Sequence, residues 1–138
     1  MTKIDKVLYT GKTHTTGGRD GFSTSSDGAL DIKLSPPGST KTGTNPEQLF
    51  AAGWSVCFLG AIGIAAAKRR VKLPEGTAVD AEVDLGTAEG GYFLQARLNV
   101  SLPGIERDVA QSLLEEAHQT CPYSKATRGN INVELAVA

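Results

Sequence analysis

The segment that decides the fold is residues 45–68, which read NPEQLFAAGWSVCFLGAIGIAAAK. Asn45 is a favoured helix N-cap, Pro46 suits the first helical position, and Glu47 suits the positive end of the helix dipole. The residues after them are almost entirely apolar or small. The segment therefore predicts one long helix that begins after Asn45 and runs to about Arg70.

The middle of this helix, Leu49–Ala67, contains 19 residues without a charge, and Lys68-Arg69-Arg70 follows it. This combination also resembles a short transmembrane span with a basic flank. Six of the 19 residues are Ala and three are Gly, so the hydrophobicity is modest. A helix that is apolar all round equally suits the centre of a soluble protein, and we expect that arrangement. Gly53 and Gly60 share a face and would let another backbone, including a partner subunit's, approach closely.

The sequence after the helix alternates between apolar and polar residues. Residues 79–85 and 94–102 have the period of half-buried strands, and the glycine-rich turn 88–91 joins them as a hairpin with one wet face. An amphipathic helix is predicted over Glu106–Thr120, and Pro122 is expected to stop it. Residues 131–137 predict a last strand.

The sequence before the helix predicts short strands and glycine turns. We expect strands over Val7–Thr10, Phe22–Ser25 and Ala29–Leu34, with a loop over His14–Gly21 and a tight turn at Asp27-Gly28. The order β-β-β-α-β-β-α-β indicates a single α+β domain over residues 1–138, with antiparallel sheet and two helices.

Composition narrows the function. The 138 residues are 40% hydrophobic and 21% charged, which is typical of a globular domain. Fourteen Lys and Arg balance fifteen Asp and Glu to a net charge of −1, so no basic excess favours nucleic-acid binding. The N-terminus has no apolar signal-peptide region, and we expect a cytoplasmic protein.

The chain has two cysteines, Cys57 and Cys121, and two histidines, His14 and His118. Two cysteines are too few for a disulfide scaffold or a four-thiolate zinc site, and neither histidine has ligand spacing to a cysteine, so we expect no metal. They are the right number for one redox pair. Cys57, in mid-helix, is either a small buried hydrophobe or a reactive thiol that needs a cation nearby. Cys121 faces the negative end of a helix dipole, which suits a resolving thiol better than an attacking one.

Two arginines are candidate cations. Arg19 lies in the glycine-flanked loop 17–21, and Arg128 is its rival. Glu47 could hold an arginine as a bidentate partner, or simply complement the helix N-terminus. Glu47 and Cys57 lie roughly 15 Å apart along an unbroken helix. If both serve one site, either the helix is interrupted or Glu47 comes from another subunit.

Several linked motifs resemble the organic hydroperoxide resistance (Ohr) branch of the OsmC/Ohr family. They are residues 44–53 (TNPEQLFAAG) with Cys57-Phe58, residues 121–124 (CPYS) with 126–131 (ATRGNI), and the N-terminal runs 17–21 and 25–28. The resemblance covers essentially the whole chain in the family's order. Trp54-Ser55-Val56 stands where Tyr-Ala-Ala is usual, and Lys125 where Asn is common.

The resemblance implies an OsmC-like α+β fold, built as an intertwined homodimer with long central helices and active sites at the subunit interface. It implies a thiol peroxidase that reduces organic hydroperoxides, including fatty-acid hydroperoxides. By motif, Cys57 is the peroxidatic cysteine, Cys121 the resolving one, and Arg19 with Glu47 the polar pair that activates Cys57. No bound cofactor is implied, and the usual reductant is a dihydrolipoyl group on a protein.

Three aromatic residues on the helix, Phe50, Trp54 and Phe58, are candidates for the wall of a greasy substrate pocket or for plain core. Two alternatives remain for the function. One is an OsmC-type peroxidase with similar cysteines. The other is a non-catalytic redox-sensing or lipid-binding module, which catalytic consumption of an organic hydroperoxide with a dithiol would exclude.

Overall fold

A computed structural model describes all residues from 1 to 138 and contains six strands and three α-helices. The chain forms two compact units, Met1–Pro46 and Glu47–Ala138. The strands are β1 (Thr13–Thr16), β2 (Phe22–Ser25), β3 (Asp31–Lys33), β4 (Ala78–Ala88), β5 (Gly91–Ser101) and β6 (Asn132–Val137), and the helices are α1 (Pro46–Lys68), α2 (Arg107–Thr120) and α3 (Pro122–Thr127). The predicted α+β class and element order are confirmed, with α3 added.

The first unit is a three-stranded antiparallel sheet in the order β1-β2-β3. The predicted turn at Asp27-Gly28 is confirmed, since Gly28 has a φ of 76° and the Asp27 carboxylate accepts the Ala29 N–H at 3.0 Å. A short 3-10 helix, Gly18–Asp20, connects β1 and β2. This sheet therefore presents the glycine-flanked Arg19 at the β1–β2 connection.

The first strand was predicted in the wrong place. Val7–Thr10 has no regular secondary structure, and its Val7, Leu8 and Tyr9 side chains are exposed. The strand lies instead at Thr13–Thr16, overlapping the start of the predicted loop His14–Gly21. Thr16 pairs with Phe22 there, so cross-strand pairing outweighs the poor apolar pattern of the segment.

Helix α1 is continuous from Pro46 to Lys68. It ends two residues before the predicted boundary, because Arg70 adopts a left-handed φ of 54° and the Val71 N–H closes onto the Ala66 carbonyl at 2.9 Å. Its mean hydropathy of 1.9 and its length would also suit a membrane span. One face of the helix is buried in the protein core, whereas its opposite, equally apolar face is exposed in this chain.

The second unit holds the sheet β4-β5-β6. β4 and β5 form the predicted antiparallel hairpin, whose turn residues Glu89 and Gly90 have φ values of 49° and 75°. β6 pairs with β5 in parallel, from Gln95 opposite Asn132 to Val100 opposite Val137, whereas we expected antiparallel pairing throughout. The helical crossover through α2 and α3 makes the parallel pairing possible.

The core of the second unit lies between α1, β5 and α2. Its largest fully buried side chains come from these three elements, namely Trp54, Phe58, Ile62, Leu98, Val100, Leu113 and Leu114. The amphipathic helix predicted at residues 106–120 is confirmed as α2, which starts one residue later. Its buried residues belong to the same core cluster as those of α1 and β5, namely Ala110, Leu113, Leu114 and Ala117.

Candidate active site

One stripe of α1 carries the site. Phe50, Gly53, Trp54 and Cys57 follow the spacing i, i+3, i+4, i+7, which places them on the same face of a helix. This face meets α3 and the α2–α3 junction. The residues of this stripe therefore lie 64 or more positions in sequence from their partners at Cys121–Ser124, a separation that only the fold closes.

The two cysteines meet at this contact. Their sulfur atoms lie 3.3 Å apart as free thiols, within hydrogen-bonding distance of each other. Cys121 is fully buried and Cys57 is partly accessible. A disulfide has an S–S length near 2.05 Å, so bond formation requires the two sulfurs to approach by only about 1.3 Å. The pair can therefore interconvert between dithiol and disulfide with little movement of the backbone.

The short helix α3 supplies a hydrogen bond to Cys57. Cys121 is the residue that caps α3, and Pro122 occupies its first position. The backbone N–H of Tyr123, in the first turn, has no carbonyl partner within the helix and donates to the Cys57 sulfur. The sequence predicts Cys121 only at the C-terminal end of α2; in the structure it also lies at the N-terminus of α3, because Pro122 begins a helix as well as ending α2.

The electrostatic setting of Cys57 is mixed. Burial raises the pKa of its thiol above the usual value, the Tyr123 N–H opposes that rise, and the neighbouring Cys121 adds to it. The net direction is upward. The groups around Cys57 in this unit thus favour the protonated thiol, and a cation placed beside it would favour the reactive thiolate.

Trp54 and Phe58 are core residues. Both are fully buried, with 0% of their surface exposed, so neither can form the wall of an open substrate pocket as we considered. The indole N–H of Trp54 donates to the Ser124 Oγ across 3.2 Å, and Ser124 is also fully buried. Trp54 therefore ties α1 to α3 one helical turn from the cysteine pair.

Phe50, the third aromatic candidate, is half-buried and lines a cavity of about 440 Å³. The cavity lies between α1, α3 and β5, with Leu94, Tyr123 and Ile131 among its walls. The Phe50 ring meets Tyr123 edge to face at 6.2 Å between centroids. Because Tyr123 also donates its N–H to Cys57, this apolar cavity adjoins the residue that contacts the thiol.

Gly53 allows this packing. A Cβ atom at position 53 would lie 2.9 Å from the Tyr123 hydroxyl oxygen, which is too close. The space at Gly53 is therefore used within the chain by a phenol ring, rather than by another backbone as we expected. Gly60 differs, since nothing lies within 4 Å of its Cβ position.

The proposed polar pair is split between the two units. Arg19 lies in the 3-10 helix of the first unit, and Glu47 lies in the first turn of α1. Since α1 is unbroken, Glu47 and Cys57 of one chain remain roughly 15 Å apart along the axis. The rival cation Arg128 donates to the backbone carbonyl of His118, at the end of α2, and so stabilises that helix terminus.

Sequence reasoning missed Tyr123, Ser124 and helix α3. The signals were present, since a Pro at the first helical position followed by five helix-compatible residues and Gly129 is typical of a short helix. Pro122 was interpreted only as a helix stop. The Trp54–Ser124 hydrogen bond had no signal in the sequence, because its partners are 70 residues apart.

Comparison with known proteins identifies the family. The family model described as OsmC-like protein matches residues 38–136. The organic hydroperoxide resistance protein of Xanthomonas axonopodis pv. citri is 48% identical over the full length of both chains. OhrB of Bacillus subtilis is 42% identical over 94% of this chain and 97% of its own.

Solved structures agree. The crystal structure of Bacillus subtilis OhrB matches with a TM-score of 0.90 at 41% identity, over 96% of this chain and all of the other. An organic hydroperoxide resistance protein from Vibrio cholerae, with captopril bound in one of its active sites, matches with a TM-score of 0.90 at 38% identity over 98% and 95% of the two chains. The chain therefore belongs to the OsmC-like protein family, and within it to the organic hydroperoxide resistance proteins.

Proposed function

We propose that this protein is a cysteine-based peroxidase that reduces organic hydroperoxides, including those of fatty acids, to alcohols. The observation that carries the proposal is the 3.3 Å contact between the Cys57 and Cys121 sulfurs, one of them partly accessible and the other buried. An accessible thiol can meet substrate, and a buried thiol in contact with it can resolve the product. Family membership supports the same role in peroxide detoxification.

The reaction runs in three steps. The Cys57 thiolate attacks the distal peroxide oxygen, the O–O bond breaks, and the alkoxide leaves as an alcohol after taking a proton. Cys57 is then a sulfenic acid. The Cys121 sulfur displaces its oxygen as water and forms the disulfide. An external dithiol reduces that disulfide by exchange, and a dihydrolipoyl group on a protein is the reductant that the family resemblance suggests.

Activation of Cys57 is assigned to Arg19, held by Glu47. Burial raises the pKa of the Cys57 thiol, and a guanidinium beside the sulfur would counter that rise and stabilise charge on the peroxide oxygens. The two residues carry this role by their place in the family motifs. A cytoplasmic setting suits the cycle, because a reducing compartment keeps such a disulfide transient.

The cavity beside Tyr123 is the proposed place for the organic part of the substrate. Its volume of about 440 Å³ lies in the range of ligand pockets, and its walls are mainly apolar. An alkyl or acyl chain would gain by burial there, whereas hydrogen peroxide has nothing to bury. This supports a preference for organic hydroperoxides.

A homodimer is the proposed working form. Ala52, Val56, Gly60, Ile64 and Ala67 form an exposed apolar stripe on α1, opposite its buried face. Val56 and Ile64 are 72% and 62% exposed, which is unusual for apolar side chains in the middle of a long helix. A second copy packed on this stripe would bury it, and it could supply the Glu47 that one unbroken helix cannot bring to its own Cys57.

The decisive experiment follows linoleic acid hydroperoxide consumption with dihydrolipoamide as reductant. Cys57→Ser should abolish turnover, because no other thiol is positioned to attack. Cys121→Ser should still consume one equivalent of hydroperoxide per active site and leave a Cys57 sulfenic acid that dimedone traps. Ser55→Ala, on the same helix, is the matched control and should turn over normally. Full turnover by Cys57→Ser would overturn the assignment, and hydrogen peroxide reduced as fast as the lipid hydroperoxide would reject the role of the cavity.

A further inference from the structure

Helices α1 and α3 touch at two polar points in a fixed register. Cys57 lies opposite Cys121 at 3.3 Å, and Trp54 lies opposite Ser124 at 3.2 Å. On α1 the two residues are three positions apart and share one helical face, while Cys121, the residue that caps α3, lies three positions before Ser124. The second contact therefore lies about one helical turn from the first, toward the N-terminus of α1 and toward the C-terminus of α3.

The Trp54–Ser124 contact tolerates little sliding, because both residues have no exposed surface. The indole N–H is donor only, and water cannot reach it at this depth. A shift of α3 along α1 would leave a buried donor unsatisfied, which is costly. The hydrogen bond thus favours one register of the two helices, the register in which the sulfurs meet.

Of the two buried hydroxyl groups of α3, one forms hydrogen bonds within the helix and the other bonds to α1. The Thr127 hydroxyl bonds the carbonyls of Tyr123 and Ser124 within α3. The Ser124 hydroxyl instead accepts from α1. A six-residue helix has little stability of its own, so its position depends on such ties to its neighbours.

We propose that Trp54 is a positioning residue for disulfide formation: through Ser124 it fixes α3 on α1 and holds the Cys121 sulfur against Cys57. This inference rests on the proposed peroxidase cycle and concerns its second step. There the sulfenic S–O bond of Cys57 breaks, the S–S bond to Cys121 forms, and the oxygen leaves as water with the sulfenic and thiol hydrogens.

The positioning has a consequence for damage. The Cys57 sulfenic acid either condenses with Cys121 or meets a second hydroperoxide and becomes a sulfinic acid, which the dithiol does not reduce. Rapid formation of the Cys57–Cys121 disulfide therefore protects Cys57 against overoxidation. A looser α3 should therefore show slower disulfide formation and more sulfinic acid for the same exposure.

The test compares Trp54→Phe, Ser124→Ala and the double variant with the wild type. Trp54→Phe keeps an aromatic ring but lacks the N–H donor. Ser124→Ala removes the hydroxyl oxygen that accepts this hydrogen bond. Ser55→Ala is the control, since its hydroxyl bonds the Ala51 carbonyl at 2.7 Å within α1. One readout is the rate of disulfide closure after one equivalent of cumene hydroperoxide. The other is the equilibrium between dithiol and disulfide in a dithiothreitol buffer.

Each single variant should slow closure and lower the disulfide equilibrium constant by roughly threefold to tenfold, the range that one hydrogen bond supplies. The sulfinic fraction, measured by mass spectrometry, should rise in proportion. Because the two residues share one bond, the double variant should resemble the single variants rather than their product. The equilibrium constant compares two folded forms, so a loss of stability common to both cancels.

Folded variants that close as fast as the wild type would overturn the inference, as would multiplicative effects in the double variant. If Trp54→Phe does not fold, Ser124→Ala carries the test, because it changes core volume by only one oxygen. A wild-type protein that forms no Cys57–Cys121 disulfide at all would refute the proposed peroxidase cycle, which is a distinct outcome.

Discussion

At the scale of single residues, the site depends on what surrounds one sulfur atom. Cys57 is partly buried, which raises the pKa of its thiol, yet it accepts the Tyr123 N–H and touches Cys121. Burial and the neighbouring Cys121 favour the protonated thiol, whereas the Tyr123 N–H favours the thiolate. Reactivity is therefore left to a further group, the cation that we assign to Arg19.

A substitution at Gly53 tests whether Tyr123 shapes the proposed substrate cavity. In Gly53→Ala the new methyl group would lie 2.9 Å from the Tyr123 hydroxyl oxygen, so the ring must shift by a few tenths of an ångström. We expect KM for a lipid hydroperoxide to rise severalfold with kcat little changed. Stability should change by less than about 1 kcal/mol, because the helix propensity of Ala offsets the crowding.

The second variant for this test is Gly53→Ala with Tyr123→Phe, which removes the crowded oxygen. Its KM should return toward the wild-type value, leaving only the milder 3.3 Å approach to the ring carbon. An unchanged KM in Gly53→Ala would show that Tyr123 does not shape the substrate cavity. Steady-state kinetics with two hydroperoxides of different chain length measure KM and kcat for these variants.

At the scale of elements, the β4–β5 hairpin shows how side chains on the solvent-exposed face of a sheet can fix the register of two strands. Arg97 of β5 lies opposite Glu82 of β4 and bonds it at 2.7 Å. It also binds both oxygens of Asp84, at 2.8 and 2.9 Å, while Gln95 donates to the same carboxylate at 2.7 Å. A one-residue slip of β4 against β5 would turn these charged groups toward the core. This ladder of polar pairs therefore favours the same strand register as the apolar residues on the opposite face.

This ladder predicts a dependence of stability on pH. The Arg97 guanidinium, and then Gln95, hold the pKa of Asp84 well below its usual range. A carboxyl with a lowered pKa stabilises the fold above its unfolded pKa, and this contribution is lost as the pH falls through the folded pKa. Arg97→Met should therefore be less stable than the wild type at pH 7, and the difference should shrink below about pH 4.

Urea unfolding of Arg97→Met at several pH values measures this difference. The carbon chemical shifts of Asp84 should show its pKa rising toward the ordinary value in the variant. Arg107→Met, at an exposed position of α2, is the control and should have little effect at any pH. A stability difference that stays constant from pH 7 to strong acid would contradict the assignment to Asp84.

At the scale of the whole molecule, apolar surface is left uncovered in both units. In the second unit this is the α1 stripe that contains Val56, Gly60 and Ile64. In the first unit, Leu8 and Tyr9 are 88% and 82% exposed. Such surfaces usually mark interfaces, and the proposed homodimer would cover the stripe.

Val56→Asp tests the dimer directly. A carboxylate buried without a partner costs several kcal/mol, so the dimer dissociation constant should rise by about a hundredfold or more. Sedimentation velocity over a range of concentrations measures it, and peroxidase activity should fall as the dimer dissociates. Gln111→Asp adds the same charge on the exposed face of α2 and should leave the dimer intact. A wild-type protein that is monomeric and fully active would reject the dimer.

The sequence was most informative where local physics dominates. The Asn45-Pro46-Glu47 start predicted α1, and the alternation of residues 79–85 and 94–102 predicted the long hairpin, because capping and side-chain period act within a few residues. The strand predicted at Val7–Thr10 does not form, because a short apolar run specifies no strand without a neighbouring strand to pair with. Pairing, not propensity, placed β1 at Thr13–Thr16.

By itself, then, the sequence determined the long helices α1 and α2, the β4–β5 hairpin, the α+β class and, through linked motifs, the family. Only the tertiary structure decided that Cys121 lies 3.3 Å from Cys57, that Tyr123 donates to that sulfur, and that Trp54 is tied to Ser124. The physical reason is distance along the chain. Helices and turns are set by neighbours, whereas contacts between α1 and α3 depend on how the core between them packs.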